Sequence, residues 1–136
     1  VRAREFFVDY FTTALRPDEL LTEVRVPALP GWGSHYLKVN RTAQAWATVA
    51  VAAAVERRNG TITRARVALT NMGPTPVRAV AVEQALAGAP VDAIEAAAVL
   101  AVEGTSPASD TTASADYRRH LVGVLTRRAL TAAAGS

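Results

Sequence analysis

The chain contains no cysteine among its 136 residues. That excludes a disulfide scaffold, a thiolate zinc site and a cysteine-held iron–sulfur cluster. It also fits a protein kept in a reducing, cytoplasmic setting. Long apolar runs are missing too: the Ala/Val run Trp46–Val55 is too short to span a bilayer. No charged-then-apolar leader opens the chain. Lysine occurs once, at Lys38, so nearly all positive charge is arginine. The arginines are dispersed, and the net charge of +3 comes without the basic and aromatic patch that nucleic-acid binding uses. The doublets Arg57-Arg58, Arg118-Arg119 and Arg127-Arg128 read as solvated faces.

Catalytic and metal motifs are equally scarce. The two histidines, His35 and His120, lie on different elements, without carboxylates at ligand spacing. His120 reads as a helix-surface residue and His35, on an apolar strand face, as a satisfied core residue. There is no Gly-x-Ser-x-Gly elbow. Gly31-Trp32-Gly33 lacks the third glycine and the following helix of a dinucleotide loop. No catalytic residue and no metal ligand set is therefore expected within the chain.

What the sequence does hold is a core and a hairpin. Half of the residues are hydrophobic, enough for one folded domain. Two strand-like runs, Ala47–Val55 and Thr61–Thr70, flank Asn59-Gly60, whose two residues both suit the positive φ of a tight hairpin turn. Pairing outward from that turn sets Ala54 opposite Ala65, Ala52 opposite Val67 and Ala50 opposite Leu69, a small apolar face suited to packing under helices. The other face pairs Val55 with Arg64 and Ala53 with Arg66, so it is expected to be half wet or covered by another domain.

Upstream, Phe6, Phe7, Tyr10 and Phe11 form a dense aromatic cluster, and Val1–Leu15 reads as the tail of a preceding domain. Arg16–Leu20 suggests one helical turn. Thr22–Val26 alternates like a half-buried strand and stops at Pro27. Ser34–Asn40 is a further strand, with His35, Leu37 and Val39 on one face and Tyr36, Lys38 and Asn40 on the other. Downstream, Thr75 is a candidate N-cap and Pro76 a first helical residue for Pro76–Ala87, which ends at Gly88. Asp92 with Glu95 suggests a capping box for a helix ending at Gly104. Ser114 caps a last helix with a stripe of Tyr117, Leu121, Val124, Leu125 and Ala129. Strands followed by helices give an α+β class: an antiparallel sheet of three to four strands packed against three helices.

Lys38 stands out as the lone lysine on a strand, with Tyr36 and Asn40 on its face and Arg41 and Trp46 close by. It could meet an anionic or electron-rich ligand, although a snorkelling surface lysine looks the same in sequence.

Four blocks carry a resemblance: Phe6–Pro27, Tyr36–Ala53, Ala65–Ala79 (ARVALTNMGPTPVRA) and Asp116–Leu130. In this order and spacing the chain resembles the C-terminal domain of the FAD-binding (medium) subunit of molybdenum-containing hydroxylases, the carbon-monoxide dehydrogenase, xanthine dehydrogenase and aldehyde oxidase group. The resemblance implies residues 1–15 as the end of an N-terminal FAD-binding domain and residues 16–136 as the C-terminal domain. It implies FAD as cofactor, held mostly by the N-terminal domain, and an iron–sulfur small subunit and a molybdenum large subunit as partners. It places Lys38 near the flavin ring, with Tyr36, Arg41 and Trp46 in the same strand–loop–strand neighbourhood as cofactor-binding candidates. Two other classes compete: a free-standing interaction module docking through the Phe6–Phe11 cluster, and a nucleic-acid binder suggested only by charge.

Overall fold

The computed structural model describes residues 1–135. The chain opens with a short helix α1 (Ala3–Phe6) and two small antiparallel strands, β1 (Phe7–Asp9) and β2 (Thr12–Thr13). These form a sheet of their own, and Phe7, Val8, Tyr10 and Phe11 remain exposed on it. The expected helical turn at 16–20 is a single hydrogen-bonded turn: Arg16 O accepts from Glu19 N at 3.0 Å, while Arg16 N donates to the Glu19 carboxylate at 2.9 Å. The expected strand Thr22–Val26 does not join a sheet, and Val24 and Val26 are exposed. Alternation signals an amphipathic segment, but a strand also needs a neighbouring edge to bond.

The main sheet begins at β3 (Trp32–Val39) and continues through β4 (Val49–Arg58) and β5 (Thr61–Thr70), all antiparallel. Asn59 at φ 49 and Gly60 at φ 80 close the β4–β5 hairpin, as the Asn-Gly pair requires. Two further short strands bond β5: β6 (Val77–Arg78) near its end and β7 (Ala89–Pro90) near its start. Pro76 therefore leads into β6 and not into a helix. The amides that would have opened that helix find partners first on the free edge of β5; Ala79 N, for example, donates to Val67 O at 3.0 Å. Helix α2 starts only at Val80 and runs to Leu86, with no side-chain cap. Gly88 follows at φ 78 and donates its N–H to Ile62 O at 2.8 Å, fastening the helix exit to the hairpin.

Helix α3 (Ile94–Ala98) is flanked by 3-10 turns at Val91–Ala93 and Val99–Val102. Asp92 sits inside the first turn, and no side chain caps this segment, so the capping box is not formed. Helix α4 (Ala115–Gly135) does begin as expected: Ser114 Oγ accepts from Tyr117 N at 3.2 Å. Its buried face differs from the expected stripe. Tyr117 is half exposed, whereas Arg118 is 1% exposed. The doublet Arg118-Arg119 is thus split between interior and solvent.

The three helices cover one face of the sheet. Val51, Val55, Val67 and Leu69 pack there against Val82, Leu86, Ile94, Val122, Leu125 and Leu130. The register of β4 departs from the simple count. Near the turn Arg57 opposes Ile62, but Glu56 opposes Arg64, leaving Thr63 as an extra residue on β5. This bulge shifts everything beyond it by one. Val51, Ala53 and Val55 then stand opposite Leu69, Val67 and Ala65, and all six are buried. Ala52 and Ala54 turn to the other face, opposite Ala68 and Arg66. The expected inward face was right for β5 and inverted for β4. Packing favours this outcome, because Val51 and Val55 bury more apolar surface than the alanines Ala52 and Ala54 would in their place.

Candidate functional site

The face of the sheet that the helices leave open carries the site. Rows run across it in register: Trp32, Glu56 and Arg64; Ser34, Ala54 and Arg66; Tyr36, Ala52, Ala68 and Arg78; Lys38, Ala50 and Thr70. Strand alternation places each row's side chains on one side. Ala52, Ala54 and Ala68 make a low floor. Tyr36 stands on one wall, and Arg66 and Arg78 on the other, around an open groove of about 480 Å³.

The arginine wall is held in place. Glu83 grips Arg78 with both oxygens, at 2.8 and 2.7 Å, and also accepts Val67 N at 2.7 Å. The Arg64 and Arg66 guanidinium groups each sit 5.2 Å from the Trp32 ring centroid. Glu56 anchors this end. Its carboxylate accepts from Arg64 at 2.8 Å, Thr63 at 2.8 Å and Arg58 at 3.2 Å. The Arg64 bond, with help from Thr63, pulls its pKa from 4.5 down to about 2. The same pairing pushes the Arg64 pKa upward.

Of the four residues singled out in sequence, the structure brings two together. Tyr36 and Lys38 project from the same face of β3, two residues apart, and Tyr36 is 57% exposed. Arg41 and Trp46 lie on the loop between β3 and β4. Arg41 Nη1 donates to Thr111 O at 3.5 Å. The Trp46 ring is exposed and meets the Phe11 ring edge-on at 5.7 Å. Arg66 and Arg78 line the groove but were not singled out. The signal for Arg66 was the alternation Arg64-Ala65-Arg66-Val67, which marks cations on one strand face without naming a ligand; Arg78 had none.

The open face suits one side of a flat ring system. It offers an alanine floor, an exposed phenol and cations at the rim. It offers no phosphate cradle: among the described residues, no glycine-rich turn leads from a strand into a helix N-terminus. Among the described residues there is also no group of three potential metal ligands. Among the described residues, no helix is long and apolar enough to cross a membrane.

The model of the CO dehydrogenase flavoprotein C-terminal domain matches residues 34–133. The chain belongs to this family. The carbon monoxide dehydrogenase medium chain of Afipia carboxidovorans is 38% identical over 133 residues, covering 96% of this chain and 46% of that protein. Among solved structures, carbon monoxide dehydrogenase from Hydrogenophaga pseudoflava superposes with a TM-score of 0.92 at 39% identity, covering 98% of this chain and 47% of that one. Quinoline 2-oxidoreductase from Pseudomonas putida 86 superposes with a TM-score of 0.91 at 29% identity, covering 99% of this chain and 48% of that one. The chain therefore spans about half the length of the relatives it matches, and the family fold extends across enzymes named for different substrates.

Proposed function

We propose that this chain acts as the C-terminal domain of the FAD-carrying subunit of a molybdenum-containing hydroxylase, its open sheet face framing the flavin. The supporting observation is the near-complete superposition on carbon monoxide dehydrogenase at 39% identity, together with the accessible face that Tyr36 and Lys38 share. When bound, FAD supplies the redox chemistry, taking electrons from iron–sulfur clusters and passing them to an external acceptor. Tyr36 offers a ring face and Lys38 a positive charge that favours an anionic reduced cofactor. Arg41 and Trp46 border this place from the loop. The phosphates fall to an N-terminal domain, of which residues 1–15 form the tail. The exposed Phe7, Val8, Tyr10 and Phe11 fit that role, since such surface normally meets a partner. An iron–sulfur subunit and a molybdenum subunit complete the assembly, in the cytoplasm. The charge itself gives little support to a nucleic-acid reading, because the arginines at 4, 16, 25, 58, 64, 78, 118 and 119 are already in ion pairs.

The test is the visible absorption spectrum of the protein expressed from its complete gene, beside that of residues 1–136 alone. The complete product is expected to show oxidised-flavin bands, and the shorter chain to be colourless. A colourless complete product overturns the reading.

A further inference from the structure

We propose that Asn71 and Arg118 are positioning residues that lock the base of the Arg41–Ala47 loop. The link of that loop to a flavin rests on the function proposed above; the lock itself rests on geometry.

The loop has little to hold itself. Arg41 to Gln44 are exposed, and its own backbone bond is Ala45 N to Thr42 O at 3.2 Å. At its start Asn40 Nδ2 donates to Thr42 O; its other end is fixed where it rejoins the sheet, at Ala47 and Thr48. There Thr48 N donates to Val39 O at 2.7 Å. Two side chains from distant elements reach the carbonyls at the same point. Asn71, just past β5, donates its Nδ2 to Ala47 O at 2.8 Å and to Thr48 O at 3.4 Å. Arg118, in the first turn of α4, donates Nη1 to Thr48 O.

The rest of the Arg118 guanidinium holds the loop's other neighbour. Nε donates to Ala108 O at 3.1 Å and Nη2 pairs with Asp110 at 2.6 Å. Asp110 in turn accepts the N–H groups of Thr112 and Ala113, at 2.8 and 3.0 Å. Thr111, between them, accepts the hydrogen bond from Arg41. The same buried cation therefore secures both the loop's return to the sheet and the segment against which Arg41 leans. A buried arginine with a single carboxylate partner is costly to keep. Here its other donors are spent on backbone carbonyls, which argues for placement of those carbonyls as its purpose. Asn71 adopts φ 61, a conformation asparagine tolerates better than most side chains, so its amide can face back toward β4.

The experiment is amide hydrogen exchange on the flavoprotein from its complete gene, comparing wild type with Asn71→Gly, Asn71→Asp and Arg118→Lys. Glycine keeps the positive φ and removes only the donor. Aspartate keeps the shape and sets a carboxylate against two carbonyls. The expected result is exchange at Ala45 and Thr48 faster by about fivefold or more, the factor given by one lost hydrogen bond of ordinary net strength. Aspartate should exceed glycine, while the sheet amides of Ala53 and Val67 stay unchanged. Unchanged exchange at Ala45 and Thr48 in Asn71→Gly overturns the proposal, as does acceleration spread equally over the whole sheet. The Asn71 variants keep the test decisive if Arg118→Lys does not fold. The visible spectrum of the same samples separates the two readings. A loosened loop with an unshifted flavin spectrum supports the lock and overturns the placement of the loop beside the flavin.

Discussion

The Thr63 hydroxyl shares its one proton between two acceptors of Glu56, the carboxylate at 2.8 Å and the backbone carbonyl at 3.1 Å. Thr63 is also the residue that β5 has in excess at the bulge. The side chain thus stabilises the irregularity that sets which face of β4 is inside. Thr63→Val keeps the branched shape and removes both bonds. It is expected to lower unfolding free energy by about 1–2 kcal/mol, read from urea denaturation. Deleting Thr63 would leave Glu56 opposite Arg64 and Val55 opposite Ala65 with no residue in excess, so Val51, Ala53 and Val55 stay inside and a cooperative urea transition is expected to survive the deletion.

The register makes a second, sharper contrast on adjacent residues. Val51 is fully buried and Ala52 is exposed. Val51→Ala should cost about 2 kcal/mol, whereas Ala52→Ser should stay within roughly 0.5 kcal/mol of wild type. A reversed order of the two urea midpoints would mean that the face assignment is wrong.

Glu56 gives the chain an acid-sensitive point. Its folded pKa is depressed, from 4.5 to about 2. The stability it adds is fully present above pH 4.5 and is lost as pH falls toward 2. Glu56→Gln should therefore destabilise at neutral pH, with the gap to wild type narrowing between pH 4.5 and 2. Thermal melts across that window read it directly, and a constant gap would deny the pairing any linkage to folding.

At Lys38 the prediction concerns redox. In the complete flavoprotein, Lys38→Met should make the flavin harder to reduce. One partly screened charge is worth about 1 kcal/mol, or roughly 20 mV for a two-electron couple. Spectroelectrochemical titration checks it; an unchanged midpoint would remove Lys38 from the flavin's surroundings.

Trp32 serves two guanidinium groups at once. Trp32→Ala should lose about 0.5–1 kcal/mol for each of the two contacts. Thermal denaturation of Trp32→Ala and of Trp32→Ala with Arg66→Ala tests the coupling, since part of the loss should disappear when Arg66 is already absent.

Much of this was legible from residue order. Asn59-Gly60 marked its turn, Leu37 and Val39 their strand face and Ser114 its helix start, because each signal is local, whereas His35, read as a core residue, is exposed near the start of β3. Thr63 was not legible as a bulge, since an extra residue in a strand leaves no mark in period-two patterning until core packing selects a face. Arg118 looked like its neighbour Arg119 because its acceptor Thr48 O lies 70 residues away. Thr22–Val26 carried the right alternation, yet no sheet edge accepts it. For the site, Tyr36 and Lys38 were legible as one face of one strand. Arg66 and Arg78 joined them only when β5 and β6 were laid alongside.

The alanine floor has an entropic consequence. Lysine and arginine give up rotamer freedom when something settles over them, but alanine has none to give up. Covering Ala52, Ala54 and Ala68 thus removes apolar surface from water without ordering any side chain. The ordering cost is confined to the rim, where Glu83 already holds Arg78 in a fixed fork. A face built in this way is preorganised before anything arrives.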